Sequence, residues 1–354
     1  MDVLVLPGDG IGPEIVSATI KIVNAVNDKY SLGLSFHTEE IGLVTLQKVG
    51  TTMPPQVLEL ARKADGVLLG PVSHNDYPPR EKGGLNPSGV MRVGLDLYAN
   101  IRPARSRFGM GFAGKDVDLV VVRENTEGFY ADRNMFVGNG EFMPTEDVAL
   151  AIRKITVKGC RRIAKAGFEI ASKRRKKVTA VHKANVMRVS DGLFLREVRK
   201  VAEEYPDVKL EELIVDATAA LLVRDPARFD VIVTTNMFGD ILSDEAVEIS
   251  GSLGLGGSLN AGDHVAMGQP QHGSAPDIAG KGIANPVSML LSASMLLDWM
   301  ATEHKKPVLS EAAKSISDAV ELALAKPETR TRDLLGGKLG TEAFVDVVLG
   351  AVRR

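Results

Sequence analysis

The sequence predicts an α/β fold with a largely parallel sheet, because short apolar runs alternate with longer segments of helical period. The runs end at turn or polar residues, as buried strands do, and they cover residues 3–6, 66–69, 119–122, 178–181 and 231–234. We expect a helix after each run. The first of these helices is predicted over residues 14–26, where apolar side chains recur at helical spacing.

Composition narrows the class of protein. The 354 residues are enough for two domains, and the net charge of −2 gives no strong attraction to nucleic acid or to membranes. The only cysteine, Cys160, cannot form an internal disulfide and is typical of a reducing compartment. No apolar stretch reaches membrane-spanning length and the N-terminus does not resemble a signal peptide, so we expect a cytoplasmic protein.

Some segments depart from the regular alternation. Residues 80–89 and 251–273 are rich in glycine or irregular, and we predict loops there. Residues 131–147 have poor periodicity and form either an arm that pairs with another subunit or a plain surface loop. The basic run at 173–177 is predicted to be a solvated turn.

A glycine-rich turn, PGDGIGP at 7–13, follows the first strand and precedes the first helix. That context suits a phosphate or dinucleotide site at a helix N-terminus. The spacing is GxGxG rather than GxGxxG, so a tight turn with a purely structural role remains an equal alternative.

Two aspartates give the strongest local indication of chemistry. Asp240 and Asp244 are four residues apart, so on a helix their carboxylates share one face and repel each other unless a cation lies between them. Ligands that are all oxygen suit Mg²⁺ or Mn²⁺. Asp216, expected at the end of a strand over 213–215, is a candidate third carboxylate. The alternative is a solvated acidic face.

Cationic and phenolic side chains lie near the ends of neighbouring elements. Arg92, Arg102 and Arg123 could bind substrate carboxylates through two hydrogen bonds each, although each alone is more typical of a surface ion pair. Lys183 follows the strand at 178–181 and would be a base if nearby cations lowered its pKa. Tyr130 could supply a proton.

Long blocks of the chain resemble the isocitrate/isopropylmalate dehydrogenase family of β-decarboxylating dehydrogenases, nearly from end to end. The blocks are LPGDGIGPE at 6–14, DLYANIRP at 96–103, VRENTEG at 122–128, GDILSD at 239–244, HGSAPDIAGK at 272–281 and TEAF at 341–344. The resemblance implies the isopropylmalate dehydrogenase-like fold, with two α/β domains and a cleft between them. The first domain would be discontinuous, covering 1–100 plus 253–354, and the second would cover 101–252 and form a homodimer with shared active sites.

The resemblance also implies roles for residues at matching positions. Asp240 and Asp244 would bind Mg²⁺ or Mn²⁺ together with Asp216 of the other subunit. Arg92, Arg102 and Arg123 would hold the substrate, with Asn185 near the substrate and the nicotinamide. Tyr130 and Lys183 would be catalytic, with Lys183 contributed by the neighbouring subunit. The residues matching the family's cofactor site are Ile11, His272, Gly273, Ser274, Ala275, Asp277, Ile278 and Asn285.

The implied reaction is the NAD-dependent oxidation and decarboxylation of a 2-hydroxy acid. Lys183 would take the hydroxyl proton while hydride leaves for NAD, the resulting 2-keto acid would lose CO₂, and Tyr130 would protonate the product. NAD rather than NADP is expected because Asp277 and Ile278 occupy the positions where NADP-specific relatives are expected to carry Lys and Tyr; an acidic side chain repels the 2′-phosphate. The rival hypotheses are a non-catalytic regulatory subunit and a nucleotide-binding module.

The sequence departs from the family pattern at two places. Gln269 and Gln271 stand where relatives often have Glu and Val, which puts the nicotinamide-side contacts in question. In the segment before Arg92, isocitrate enzymes commonly have Ser six and Asn four residues before the arginine, whereas this chain has the reverse, Asn86 and Ser88. Both are predicted to face the C3 substituent, and Asn86 is also a predicted helix cap. This polar segment favours isocitrate or homoisocitrate, then tartrate or D-malate, and 3-isopropylmalate last.

Overall fold

The computed structural model of the chain describes residues 1–107, 109–130, 135 and 137–354. These residues form two compact units. Unit 1 comprises Met1–Leu97, Arg107–Met110 and Gly251–Arg354, and unit 2 comprises Tyr98–Ser106 and Gly111–Ser250. Within the described chain, no helix combines the length and the apolar character needed to span a bilayer.

The strands and helices follow one another as in an α/β protein. In chain order the strands are β1 (Asp2–Leu6), β2 (Ser35–Thr38), β3 (Gly66–Leu69), β4 (Ala99–Arg105), β5 (Asp118–Glu124), β6 (Glu141–Thr145), β7 (Val148–Ala151), β8 (Lys177–His182), β9 (Lys209–Ile214), β10 (Val231–Thr234), β11 (Leu259–Ala261) and β12 (Ala266–Gly268). The α-helices are α1 (Gly12–Tyr30), α2 (Leu43–Val49), α3 (Pro55–Lys63), α4 (Pro87–Gly94), α5 (Val157–Ser172), α6 (Ser190–Ala202), α7 (Val215–Arg224), α8 (Asn236–Ser250), α9 (Val287–Glu303), α10 (Val308–Ala325) and α11 (Thr341–Val352).

Unit 1 contains strands in the order β2-β1-β3-β12-β11, all parallel to their neighbours except the antiparallel pair β11 and β12. Helix α9 packs on β3 and β12 and is buried over most of its surface, as expected for a helix that is apolar all round. Helix α1 begins with Pro13 in its first turn, where the missing N–H costs nothing, and packs against α9, α10 and α11.

Unit 2 contains strands in the order β4-β5-β10-β8-β9, and only β4 is antiparallel to its neighbour. Strands β5, β8 and β10 are buried on both faces and rich in valine, as expected of parallel strands covered by helices. Because these strands are parallel, the residues that follow their carboxyl ends lie along one edge of the sheet, which is where ligands bind in such folds. Arg123, Lys183, Asp216 and the start of α8 are placed there by this topology.

The expected alternation fails after two of the predicted strands, and the two predicted loops are only partly correct. Strand β3 is followed by 3-10 turns at His74–Asp76 and Arg80–Lys82 before the short α4, and β5 is followed by a hairpin rather than by a helix. The loop predicted at 80–89 includes the start of α4. The loop predicted at 251–273 was wrong in part, because β11 and β12 form a buried hairpin within it. Strands β11 and β12 have three residues each, which is too few to show the alternation of apolar and polar residues that predicts a strand.

The basic run at 173–177 was expected to be a solvated turn, and the structure gives it partners. Arg174 bonds to the carboxylates of Asp118 and Asp230, and Arg175 donates to the backbone carbonyl of Phe229. Residues 173–176 do form a turn, and Lys173, Arg175 and Lys176 are exposed, so the prediction is confirmed. In addition, the run joins the starts of β5, β8 and β10.

The segment predicted as an arm or a surface loop ends in a separate two-stranded sheet. Strands β6 and β7 pair with each other in an antiparallel hairpin, and every residue of both is exposed. Residues 131–134 and 136 of this segment lie outside the described residues. The hairpin carries Phe142, Met143, Val148 and Leu150, whose exposed fractions lie between 40% and 62%. An exposed sheet with this much apolar surface is typical of an interface.

Candidate active site

Two arginines on neighbouring strands form the base of a polar cluster in unit 2. Arg102 lies on β4 and Arg123 on β5, and their side chains are only 7% and 2% exposed. Helix α8 packs directly on Arg123 because Gly239 has no side chain; a Cβ there would lie 2.6 Å from Cβ of Arg123. Burying two guanidinium groups is costly unless anions and hydrogen bonds compensate them.

The compensation comes from α8 and from Tyr130. Asp240 accepts hydrogen bonds from Arg123 and from the Tyr130 hydroxyl, the latter at 2.9 Å. Arg102 Nη1 lies 3.2 Å from Asp240 Oδ1 and 3.0 Å from Asp244 Oδ1. The Tyr130 hydroxyl also accepts from Arg123 Nη2 at 2.6 Å. The structure thus brings Arg102, Arg123, Tyr130, Asp240 and Asp244 together, with the two carboxylates 40% and 48% exposed.

The electrostatics of the cluster favour an additional ligand. Burial, followed by the charge of Arg102, lowers the pKa of Arg123 to about 10, so its guanidinium stays charged at neutral pH. Burial raises the pKa of Asp244 and the neighbouring Asp240 adds to that effect, while Arg102 opposes it. A divalent cation at the two half-exposed carboxylates would relieve their repulsion, and their oxygens suit Mg²⁺ or Mn²⁺.

Three polar side chains hold this cluster that the sequence analysis missed. Arg102 Nε donates to Asn100 at 2.6 Å and Arg102 Nη1 donates to Ser243 at 2.8 Å. Asn236 accepts from Arg123 Nε at 2.9 Å and donates to the carbonyl of Glu127. Spacing could have indicated Asn100 and Ser243. Asn100 is two residues from Arg102 and so shares its strand face, and Ser243 is three residues from Asp240 and so shares its helix face.

Lys183 and Asp216 form a second group at the same edge of the sheet. The Lys183 ammonium contacts the Asp216 carboxylate, and both side chains are partly exposed. Asp216 lies in the first turn of α7 and not at the end of a strand as predicted, because β9 already ends at Ile214. Burial lowers the pKa of His182, and its neutral Nδ1 accepts the N–H of Ala184 at 3.0 Å. Asn185 is exposed on the turn that follows.

A single chain does not assemble the three predicted metal ligands. Across the part of the chain that the structure describes, no three His, Cys, Asp or Glu side chains come together as ligands for one ion. Asp240 and Asp244 form one pair, and Asp216 is paired with Lys183 instead. The two carboxylates of α8 therefore fit a hard divalent cation and would supply two of its oxygen ligands.

In unit 1 the segment before Arg92 forms helix α4. Asn86 caps this helix by accepting the N–H of Gly89 and Pro87 occupies its first turn, so the predicted cap is confirmed. Ser88 is buried and donates to Gln269 Oε1 at 2.9 Å, and Arg92 Nη2 donates to the same oxygen at 3.4 Å. Gln269 therefore joins the two residues of α4 predicted to face the substrate.

The glycine-rich turn before α1 is filled by the protein itself. Three of its N–H groups donate to protein carbonyls: Asp9 N–H to Pro71, Ile11 N–H to Ser274 and Gly12 N–H to Asp9, each at 2.8 Å. A Cβ at Gly10 would lie 2.0 Å from the carbonyl oxygen of Ser274. The structural alternative for this turn is thus the one the contacts support, because these amides have no free N–H for a phosphate.

The remaining residues predicted to bind cofactor lie on one loop of unit 1. His272 Nδ1 is 2.9 Å from the carbonyl oxygen of Gly273, and burial lowers the pKa of the ring, so it is neutral at pH 7. Ser274 bonds to Ser73 at 2.7 Å, and Ala275 has a left-handed backbone with φ of 39°. Asp277 and Ile278 form the 3-10 turn that follows. Asn285 donates to Asp333 at 2.9 Å.

Comparison with known proteins supports one family. Residues 2–348 match the family model described as isocitrate/isopropylmalate dehydrogenase. The chain is 44% identical over 346 residues to a 3-isopropylmalate dehydrogenase of Saccharolobus solfataricus, covering 98% of each chain. It is 40% identical over 366 residues to a homoisocitrate dehydrogenase of Methanocaldococcus jannaschii, covering 100% of this chain and 98% of that protein.

A third relative and a solved structure support the same family. An isocitrate/homoisocitrate dehydrogenase of Thermus thermophilus is 42% identical over 353 residues, covering 99% of this chain and 98% of that one. The crystal structure of an isocitrate dehydrogenase from Methylococcus capsulatus superposes with a TM-score of 0.88 at 38% identity, covering 100% of this chain and 99% of that chain. The predicted fold class and the predicted resemblance are confirmed. The relatives bear different substrate names, but all are dehydrogenases, and the chain is a member of the isocitrate/isopropylmalate dehydrogenase family.

Proposed function

We propose that this chain catalyses the NAD-dependent, divalent-metal-dependent oxidative decarboxylation of a 3-substituted malate-type 2-hydroxy acid. The observation that carries the proposal is the cluster in which buried Arg102 and Arg123 hold Asp240, Asp244 and Tyr130 at the carboxyl edge of the sheet. Such a cluster contains forks for substrate carboxylates, oxygen ligands for a cation and a phenol for proton transfer.

Different residues of the chain bind the substrate, accept a proton and deliver a proton. Arg92, Arg102 and Arg123 bind the substrate carboxylates and fix the orientation of the reacting carbon atoms. Lys183 accepts the hydroxyl proton, and the β-carboxylate leaves as CO₂; NAD, when bound, would serve as the acceptor of the hydride from C2. Tyr130, held by Arg123 and Asp240, then delivers a proton to C3. A Mg²⁺ or Mn²⁺ ion at Asp240 and Asp244 would supply Lewis acidity when bound.

We further propose a homodimer with shared active sites, in which Asp216 and Lys183 enter the site of a second copy. The outward side of α8, next to the two aspartates, carries Met237 and Ile241, which are 39% and 59% exposed. Val223 on α7 is 47% exposed, and the hairpin of β6 and β7 is exposed throughout. Exposed apolar surface of this extent supports association with a second copy of the chain.

The substrate proposal is isocitrate or homoisocitrate first, tartrate or D-malate second and 3-isopropylmalate third. This order of substrates is supported by helix α4 and by Leu85, which precedes the helix cap Asn86. The apolar side chains Leu85, Val90 and Met91 pack into the core of unit 1, while Ser88 is bound to Gln269. Ser88 and Gly89 therefore contribute nothing to an apolar wall for an isopropyl group, whereas Val93 of the same helix is 48% exposed. Such a wall is worth only about 1–3 kcal/mol, roughly 10–200-fold in discrimination.

The proposed cofactor is NAD because Asp277 is exposed on the loop that begins at His272. An acidic side chain at this point accepts ribose hydroxyl hydrogen bonds and repels the 2′-phosphate of NADP. Replacing Asp277 by Lys together with Ile278 by Tyr is expected to weaken the preference for NAD. Equal kcat/KM values of the unaltered enzyme for NAD and NADP would contradict this part of the proposal.

The deciding experiment is an assay of NADH formation by the purified chain alone, with Mn²⁺ and each hydroxy acid in parallel. We expect turnover, with the highest kcat/KM for isocitrate or homoisocitrate. Turnover by the chain alone excludes both a regulatory subunit and a simple nucleotide-binding module. The highest kcat/KM for 3-isopropylmalate would show that the interpretation of α4 as part of a polar pocket is wrong.

A further inference from the structure

Arg153 is a buried arginine of unit 2 with no role in the reaction described above. It lies between β7 and α5, and its side chain is 8% exposed. It forms an ion pair with Asp191, whose side chain is fully buried, and donates to Ser190 Oγ and Thr235 Oγ1 at 2.9 Å each. A buried ion pair costs desolvation energy, so its contacts can point to a function other than stability.

The second oxygen of Asp191 binds the backbone of Lys183. Asp191 Oδ1 faces Arg153, and Asp191 Oδ2 accepts the N–H of Lys183. The Lys183 carbonyl in turn accepts the N–H groups of Val186 and Met187 at 3.0 and 2.9 Å. The Asp191 N–H donates to the carbonyl of Met187 at 3.0 Å. The carboxylate of Asp191 therefore closes the turn from which the side chain of Lys183 extends.

The other contacts of Arg153 reach the first cluster. Its guanidinium lies 5.6 Å from the ring centre of Phe129, next to Tyr130, and 5.5 Å from that of Phe238 on α8. The adjacent Lys154 pairs with Gly128 through two backbone hydrogen bonds of 2.9 Å. One guanidinium is thus in contact with three segments, which carry Tyr130, the metal-binding aspartates and Lys183.

We propose that the Arg153–Asp191 pair positions the catalytic residues, and that Asp191 acts specifically through Lys183. The inference rests on the proposed function, in which Lys183 serves the site of a second copy. Asp191 then affects only the site to which its lysine is donated. Arg153 affects both sites of a dimer, because it also holds the segments of Tyr130 and α8.

The chain contains a matched control for Asp191. Asp230 is 2% exposed, binds Arg174 through Oδ1 at 2.9 Å and accepts the N–H of Lys177 through Oδ2 at 3.4 Å. It has the same pattern of partners as Asp191. However, it lies at the start of β10, whereas Thr235 and α8 follow the other end of that strand. Asp230→Asn therefore removes an equivalent buried charge away from the catalytic groups.

Steady-state kinetics test the positioning role. We expect Asp191→Asn to lower kcat about 100-fold, the scale of a 1 Å displacement of a reacting group, with the KM for NAD within threefold. Asp230→Asn should lower the melting temperature to a similar extent but leave kcat within threefold. Unchanged kcat in Asp191→Asn would overturn the proposal. If that variant fails to fold, Asp191→Glu keeps the charge but shifts the oxygens by one methylene. A folded Asp191→Glu protein with normal kcat would then overturn it.

Mixed dimers show which catalytic group Asp191 acts through. Asp191→Asn chains re-formed with Asp240→Asn chains should recover activity, because one hybrid site has intact residues from both chains. Asp191→Asn with Lys183→Ala should gain none, and recovery there would refute the assignment to Lys183. Arg153→Lys should recover with neither. The reference is Lys183→Ala with Asp240→Asn: if this pair does not recover, the shared site fails, while the kinetics above still test the Arg153–Asp191 pair.

Discussion

Two ion clusters in unit 2 have opposite arrangements. In the first, buried Arg102 and Arg123 support Asp240 and Asp244, whose carboxylates are 40% and 48% exposed. In the second, on α5 and α6, the carboxylate of Glu197 is 1% exposed and binds Arg161, Arg196 and Lys200, which are 52–58% exposed. One cluster buries its cations and presents its anions, whereas the other does the reverse.

The difference separates the cluster that we propose as the active site from one that has only a stabilising role. The Glu197 oxygens have protein donors at 2.7, 2.9 and 3.3 Å, and the charged groups left in solvent need no further ligand. The carboxylates of α8 are fixed from below by arginines, yet remain accessible to a cation. Buried cations that hold accessible anions form a site that is preorganised for a ligand. A buried anion surrounded by surface cations joins two helices.

The largest expected effect concerns the accessible anions. Asp240→Asn should lower kcat by at least about 10³-fold, because a carboxylate ligand of the cation is lost. The unfolding free energy should fall by about 1–3 kcal/mol, since buried Arg123 loses its charged partner while the amide oxygen still accepts a hydrogen bond. Thermal melts with and without Mn²⁺ provide the second measurement: the ion should raise the Tm of the unaltered enzyme and not that of the variant. Normal turnover in Asp240→Asn would remove the basis of the comparison.

The second effect is on stability alone. Glu197→Gln should lower the unfolding free energy by about 1–3 kcal/mol, the range for hydrogen bonds to a charged group, because the amide replaces one acceptor oxygen by a donor. Its kcat should remain within twofold of normal. Urea denaturation measures the first quantity and the NADH assay the second. A large loss of kcat in a stable Glu197→Gln protein would mean that the second cluster also serves the reaction.

The stabilising effect of Glu197 should depend on pH in a defined direction. Hydrogen bonds from Arg196 and then Arg161 lower the pKa of Glu197 to about 2. A carboxyl with a lowered folded-state pKa contributes stability above its unfolded pKa of about 4.3 and loses it as the pH falls toward the folded value. The stability difference between the unaltered protein and Glu197→Gln should therefore be constant from pH 7 to 5 and decline from pH 5 toward 2. A difference that grows on acidification would contradict this assignment.

The smallest effect is expected at the exposed cations. Lys200→Ala should change the unfolding free energy by no more than about 0.5 kcal/mol, because Lys200 is 52% exposed and two arginines still bind Glu197. High salt should reduce even this difference. The same denaturation experiment at low and high ionic strength measures both quantities. A loss as large as that of Glu197→Gln would show that the cations of this cluster are not interchangeable.

Much of the fold could be predicted because the spacing of apolar residues along the sequence indicates strands and helices. The strands near residues 3, 66, 120, 178 and 231 are four to seven residues long and strongly apolar, and each appears where expected. Strands β11 and β12 were missed because three residues among glycines show no period, and they form only through pairing with each other and with β3. The tertiary structure therefore decides these two elements.

The candidate site shows the same division. Asp240 and Asp244 are visible in the sequence because helical spacing fixes their relation to each other. The contact of Arg153 with Thr235 and Asp191 joins residues that are 82 and 38 positions apart, and no local pattern predicts it. The glycine-rich turn shows the converse, because its spacing left a phosphate site and a structural turn open, and the contacts of its Asp9, Ile11 and Gly12 N–H groups favour the structural turn.

The discontinuity of unit 1 has a consequence for synthesis on the ribosome. Unit 2 ends at Ser250, so all of its strands have been translated before the chain reaches β11 and β12. At that moment β3 lacks its neighbour β12, and α9, which covers both strands, does not yet exist. We therefore expect the nascent chain to complete its middle portion first. The edge of β3, which would be prone to pair with other chains, stays open until β12 and α9 have been translated.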